Sequence, residues 1–136
     1  MSTANVHIEM FFDKDSSTFS YVVADTHSRQ AAVIDPVLDY DAAAGTVSTG
    51  GADKILSYLA QQQFTLQWIL ETHAHADHLS AADYLKRKTG APIAIGEGIK
   101  KVQQTFKLVF NLDDDELTAK GDYFDKLFSD NETFTI

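Results

Sequence analysis

The residues best suited to chemistry are concentrated in one stretch, ETHAHADHLSAA at positions 71–82. Within six positions it holds three of the chain's five histidines and an aspartate, namely His73, His75, Asp77 and His78. Imidazole nitrogens and carboxylate oxygens are ligands of catalytic metals, which keep coordination positions open for water or substrate. We therefore predict a metal site at this stretch.

The spacing of the four residues supports a shared role. Residues two apart project to the same side of an extended or turning backbone, so His73 and His75 can reach one ion. Asp77 and His78 follow one turn later, where they could bind a second ion or orient a bound water. Asp77 is accordingly the candidate catalytic residue as well as a candidate ligand.

Other polar residues carry weaker signals. His7 and His27 each stand alone and are interpreted as surface residues. Asp35, directly before Pro36, allows two interpretations. It is either a group that supports the metal ligands from behind or an ordinary turn carboxylate.

The composition bounds the class of protein. At 136 residues, with 44% hydrophobic and 11% aromatic residues, the chain has the size and composition of one globular domain. Cysteine is absent, which excludes disulfides, thiolate ligands and a cysteine nucleophile. We expect a cytoplasmic protein, because the N-terminal residues do not resemble a secretory signal.

The charge and hydropathy exclude two kinds of partner. A formal net charge of −9 would repel a phosphate backbone, so nucleic acid is not expected to bind. No apolar run approaches the roughly 18 residues that a membrane-spanning helix needs, so no membrane contact is expected.

The pattern of apolar residues predicts strands that alternate with helices, which is typical of an α/β protein. The strand at 64–72 should place Leu66, Trp68 and Leu70 on one face, and the histidine stretch follows it directly. Open α/β sheets place active sites at such carboxyl ends of strands. Further strands are predicted at 6–12, 19–24, 30–34, 92–96 and from 134 onward, helices at 52–63, 79–90 and 99–108, and loops at 42–52 and 111–124.

The stretch from Thr72 to His78 reads T-H-x-H-x-D-H and resembles the signature of the metallo-β-lactamase superfamily. TFSYVVAD, AAVIDPVLDYD and the run ETHAHADHLSAADYLKRKTGAPIAIG are similar to its glyoxalase II-like branch, especially the persulfide dioxygenase group. The resemblance covers essentially the whole chain. It implies an α/β fold, the N-terminal half of an αββα sandwich with a mixed sheet and helices on one face, as one partial domain over residues 1–136.

The resemblance also implies a ligand set and a substrate class. In the superfamily, the residues matching His73 and His75 bind one metal, and those matching Asp77 and His78 bind a second or act beside it. In persulfide dioxygenases only the residue matching His73 binds, with a downstream histidine and aspartate, and holds a single ferrous iron. The implied cofactor is thus zinc or iron, as one or two ions, and the implied substrate is a small thiol-derived or glutathione-derived molecule.

The chain departs from the family at its end. No histidine follows His78, whereas family members continue past the strand predicted to begin at Phe134. We therefore interpret the chain as a truncated half-domain that exposes an apolar sheet face and binds metal weakly or not at all. Two hypotheses follow: an enzyme of thioester hydrolysis or persulfide oxidation, and a non-catalytic unit for metal binding or homo-oligomeric assembly about a two-fold axis.

Overall fold

The computed structural model describes residues 5–41, 43–73, 79–110 and 124–136, and within them strands alternate with helices as predicted. Three helices are present there: α1 Gly50–Gln62, α2 Ala82–Thr89 and α3 Ile99–Phe110. The strands are β1 Val6–Asp13, β2 Thr18–Asp25, β3 Gln30–Ile34, β4 Val37–Asp41, β5 Thr46–Ser48, β6 Thr65–Leu70, β7 Leu79–Ser80, β8 Ile93–Gly96 and β9 Lys126–Phe128.

Six of these strands form one mixed sheet in the order β1-β2-β3-β6-β8-β9. The first three are antiparallel hairpin neighbours, and β3, β6, β8 and β9 run parallel. A smaller sheet has the order β5-β4-β7. Since β3 and β6 are parallel neighbours, their carboxyl ends lie side by side, and Asp35 comes directly next to the start of the histidine stretch.

Helices α1 and α2 cover one face of the six-stranded sheet. The apolar stripe of α1 buries Ile55 and Leu59, and Leu85 of α2 is completely buried. These side chains form one cluster with the inward residues of the strands, among them Val33 and Ile69. The predicted stop of the second helix is also found, because Gly90 ends α2 with φ of +78°.

A β-bulge in the pairing of β3 with β6 sets which side chains face the helices. Ala31 pairs with Leu66, but Ala32 pairs with Trp68, so β6 contains one extra residue, Gln67. The prediction that Leu66 and Trp68 share a face was therefore wrong. Leu66 lies in the helix-covered core, whereas Trp68 pairs on the opposite face.

That opposite face is open and apolar along its edge. Val6, Ile8, Met10 and Phe12 alternate along β1, and each is more than half exposed. Near the other edge, the Trp68 ring packs at 5.6 Å from the rings of both Phe128 and Phe134. Neither of these two groups of side chains belongs to the core cluster that α1 and α2 cover, so we call this side the open face of the sheet.

The strands β4, β7 and β9 were not predicted, and three further features differ from the predictions. The segment predicted as a loop at 42–52 contains β5, which pairs with β4, and α1 begins at Gly50. The second helix begins at Ala82, since Ser80 belongs to β7. Residues 134–136 form no strand; the Trp68 indole instead donates a hydrogen bond of 3.1 Å to the Thr135 carbonyl. The predicted loop at 111–124 lies, except for Phe124, outside the described residues.

None of the helices described here combines the length and apolar composition needed to cross a membrane.

Candidate functional site

The histidine stretch begins where β6 ends, at the carboxyl edge of the parallel strands. Glu71, Thr72 and His73 follow Leu70 directly, and the Asp35 backbone amide donates to the Leu70 carbonyl at 2.8 Å. The remaining predicted ligands His75, Asp77 and His78 lie outside the described residues, so their roles stay predictions.

Asp35 is a buried carboxylate, with 8% of its surface exposed, and it contacts the start of this stretch. It accepts hydrogen bonds from the Thr72 amide at 2.8 Å and from the Thr72 hydroxyl at 2.5 Å. Its own backbone has φ of +51°, a rare conformation for a residue with a side chain, and the Ser20 hydroxyl donates to its carbonyl at 2.6 Å. Asp35 is therefore not a solvent-facing turn carboxylate, because its side chain holds the residue next to His73.

The Thr72 hydroxyl also contacts the His73 ring, with 2.7 Å between Oγ1 and Nδ1. A hydroxyl has one hydrogen, and here it is donated to the Asp35 carboxylate, which can only accept when ionised. The hydroxyl oxygen must then accept from Nδ1–H of His73. This tautomer of a neutral imidazole leaves the ring's lone pair on Nε2, the atom that can bind a metal.

The other end of the stretch is fixed by a second buried carboxylate, Glu71, which is 6% exposed. The Ser80 hydroxyl donates to Glu71 Oε1 and accepts from the Ala82 amide at 3.1 Å. Ser80 also pairs with Val37 of β4, and the Ala81 amide donates to the Pro36 carbonyl at 3.0 Å. The described residues that flank the segment 72–79 are therefore held in place by hydrogen bonds to the rest of the fold.

The sequence predicted His73 as a metal ligand and offered Asp35 as a candidate supporting group. It did not single out Glu71 or Ser80. The available signal for Glu71 was a carboxylate at the end of an apolar strand, two residues before a predicted ligand. Its partner could not be identified from sequence, because the contact depends on how β7 returns to β4. His7 and His27 are exposed, which confirms them as surface residues.

Of the four predicted ligands, His73 lies among the described residues, and its imidazole is a donor that suits zinc or iron. Among residues 5–41, 43–73, 79–110 and 124–136, no three histidine, cysteine or acidic side chains gather in a way that could hold an ion. His73 nevertheless has the arrangement expected of a ligand, since its second nitrogen is engaged by Thr72 and, through it, by a carboxylate.

The profile of the metallo-beta-lactamase superfamily matches residues 13–134 of this chain. The chain belongs to this superfamily. The resemblance of the Thr72–His78 stretch is thereby confirmed at the level of the family, and so is the mixed α/β fold class, because the similar solved structures have the metallo-β-lactamase fold.

Several curated relatives are similar over most of the chain. Glyoxylase B2 of Dictyostelium discoideum is 47% identical, covering 95% of this chain and 44% of the relative. A beta-lactamase hydrolase-like protein of Xylella fastidiosa is 46% identical, covering 93% and 29%. Human mitochondrial persulfide dioxygenase ETHE1 is 29% identical, covering 62% and 29%. The chain thus spans less than half of the length of each of these relatives.

A crystal structure of ETHE1 from Myxococcus xanthus superposes with a TM-score of 0.55 and 34% sequence identity. The match covers 65% of this chain and 34% of that chain.

Proposed function

We propose that this chain carries the metal-binding portion of an enzyme that acts on small thiol-derived molecules. The proposal depends chiefly on one observation, the chain of hydrogen bonds from Asp35 through Thr72 to His73 at the carboxyl end of β6. A carboxylate behind a histidine fixes the ring's tautomer and orientation, which is how metal-binding histidines are usually held.

The described residues have distinct roles in this proposal. His73 binds the metal through Nε2, Thr72 holds the Nδ1 side of the ring, and Asp35 fixes the direction of the Thr72 hydroxyl. His75, Asp77 and His78 are proposed as further ligands, with Asp77 also orienting a water. A bound zinc or iron ion would supply Lewis acidity and lower the pKa of bound water toward about 7.

The relatives support a thiol-derived substrate without choosing the reaction. One of them is named a glyoxylase and another a persulfide dioxygenase. In the first reaction, water cleaves a thioester to a carboxylate and a thiol. In the second, dioxygen and water convert the outer sulfur of a persulfide to sulfite, and the inner sulfur is released as a thiol.

The first experiment is a titration of the intact 136-residue chain with zinc and, under anaerobic conditions, with ferrous iron. We expect saturable binding that His73→Ala weakens at least tenfold, since a ligand is lost. His27→Ala removes an exposed histidine and is the matched control. Equal affinity in wild type and H73A would contradict the proposal.

Activity then distinguishes the two reactions. The metal-loaded chain is given a glutathione thioester with thiol release as the readout, and a glutathione persulfide with dioxygen uptake as the readout. Turnover that requires zinc and releases thiol supports hydrolysis, whereas dioxygen uptake that requires iron supports oxidation. Metal binding without turnover on either substrate would favour the non-catalytic alternative.

The non-catalytic alternative has its own supporting observation, the open apolar face along β1. Ile8 and Met10 are 59% and 57% exposed, which is unusual for a row of large apolar side chains on one strand. A second copy packing on this face would bury the row.

If a second copy packs there, the sedimentation of the wild type should depend on concentration, and Ile8→Lys should abolish that dependence. Val47→Lys, at a site 55% exposed on the smaller sheet, is the control; a wild type that stays monomeric at high concentration would exclude this assembly.

A further inference from the structure

We propose that Glu71 and Ser80 form a positioning pair that holds together the residues flanking the segment 72–79. This inference rests on the proposed metal site, because all four predicted ligands lie between the two residues. Neither residue is assigned the role of a metal ligand.

Glu71 is a buried carboxylate, with 6% of its surface exposed. Among the described residues, the buried polar side chains are Ser20, Asp35 and Glu71. Ser20 holds the Asp35 carbonyl and Asp35 holds Thr72, so two of the three already act at the start of this segment. A buried carboxylate is costly unless it is hydrogen-bonded, and the third, Glu71, bonds to the residue at the segment's end.

The hydrogen-bond polarity of the pair is fixed by the helix. Ser80 Oγ accepts from the Ala82 amide, the first residue of α2, so its single hydrogen is available to donate to Glu71. The Glu71 backbone is held separately, since its amide donates to the Ala94 carbonyl of β8 at 2.9 Å. The pair thus joins the sheet to the start of α2.

The β-bulge at Gln67 explains why Glu71 can reach Ser80. The extra residue puts Ile69 in the helix-covered core. Strand alternation then carries Glu71 to that side as well, where α2 begins. Thr72 points the other way, toward Asp35. Consecutive residues therefore anchor the segment on two opposite sides.

Zinc affinity tests whether this pair positions the ligands. Glu71→Ala and Ser80→Ala should each lower zinc affinity about tenfold to a hundredfold, as for residues that support ligands. Glu71→Gln keeps an acceptor oxygen for the Ser80 hydroxyl and should retain the wild-type affinity. Thr89→Ala is the matched control, since it removes a hydroxyl bonded to the Leu85 carbonyl at the far end of α2.

The double variant separates a joint role from two unrelated ones. If the pair acts as a unit, Glu71→Ala with Ser80→Ala should bind zinc no more weakly than the weaker single variant. Independent, additive losses would overturn the inference, and so would wild-type affinity in E71A. A loss in E71Q as large as in E71A would also overturn it, because the charge would then matter and the hydrogen bond would not.

Amide hydrogen exchange provides a readout that needs no metal. The peptide covering residues 72–81 should exchange faster in E71A and S80A than in wild type and T89A. The S80A variant must also keep the wild-type melting temperature, so that faster exchange reports this peptide and not the stability of the whole fold. If the wild type binds no zinc, the proposed metal site fails, and the exchange rates alone decide whether the pair holds the flanking residues together. Unchanged exchange in both variants would refute the positioning role even if zinc binds.

Discussion

The carboxylate of Asp35 accepts two hydrogen bonds from Thr72, one from the backbone amide at 2.8 Å and one from the hydroxyl at 2.5 Å. The two residues are 37 positions apart in sequence but follow neighbouring parallel strands, β3 and β6. Because the hydroxyl donates to Asp35, it accepts from His73, and the direction of donation along the three residues is fixed. The orientation of a predicted metal ligand thus depends on a carboxylate that acts through the Thr72 hydroxyl.

We predict that Asp35→Asn lowers zinc affinity about tenfold to a hundredfold. Thr72 donates to both oxygens of Asp35, its amide to Oδ1 and its hydroxyl to Oδ2, and an asparagine replaces one of these acceptors with a nitrogen that only donates. If its nitrogen faces the hydroxyl, donation reverses, His73 becomes the Nε2–H tautomer, and the lone pair leaves the metal-binding nitrogen.

Nitrogen chemical shifts of the His73 ring measure the tautomer directly, alongside zinc affinity. Asp39→Asn is a suitable control, because Asp39 also accepts from a backbone amide, that of Gly51 at 3.0 Å, but at the start of α1. An unchanged tautomer and affinity in D35N would show that Asp35 does not act through Thr72.

The hydroxyl of Thr72 can be tested without altering the buried charge. Thr72→Val keeps the shape but removes the hydroxyl that joins Asp35 to His73, leaving a buried carboxylate with one hydrogen bond fewer. We expect weaker zinc binding and a loss of stability of about 1–3 kcal/mol. Thr72→Ser restores the hydroxyl and should recover zinc affinity, as measured by competition with a chelator. Equal affinities in the valine and serine variants would exclude a role for the hydroxyl.

Local sequence patterns predicted the helices and most strands, because apolar residues such as Ile55 and Leu59 recur at the spacing that buries one face of a helix. They failed at β6, where the face of Trp68 depends on a bulge that arises only against β3. They also left Asp35 undecided and missed Glu71. Both carboxylates bond to residues from other segments of the chain, and local sequence spacing does not predict such contacts.

The family of the chain could be predicted from the T-H-x-H-x-D-H stretch, because that combination of ligands and spacing is specific. The substrate and metal could not, because imidazole and carboxylate ligands suit zinc and iron alike. The structure adds the residues behind His73, which no pattern of ligands reveals.

The fold should lose stability at low pH through Asp125. Hydrogen bonding from the Ile93 amide, and then from the Lys86 ammonium at 2.7 Å, holds the pKa of this carboxyl below its ordinary value of 3.8. A lowered pKa stabilises the fold above the unfolded value and stops doing so as the pH falls through the folded value. Asp125→Asn should cost about 1 kcal/mol near pH 7, a screened surface contribution, and progressively less below about pH 4.

Urea denaturation of both proteins from pH 7 to pH 2.5 measures this difference. Asp83→Asn, which removes the exposed partner of Arg87 within α2, is the control and should change stability little at any pH. A difference between wild type and D125N that stays constant across the range would contradict the lowered pKa.

Trp68 is the single tryptophan of the chain and reports on the open face of the sheet. Its ring lies 5.6 Å from that of Phe134, and its indole nitrogen donates to the Thr135 carbonyl. Phe134→Ala should expose the indole, shift its fluorescence emission to longer wavelength, and cost about 0.5–1.5 kcal/mol for the lost aromatic pair. Phe12→Ala is the control, because that ring packs against Phe19 at 4.8 Å on β1 and β2. Emission that is unchanged in F134A, or shifted equally in F12A, would mean that the C-terminal residues do not pack on Trp68 in solution.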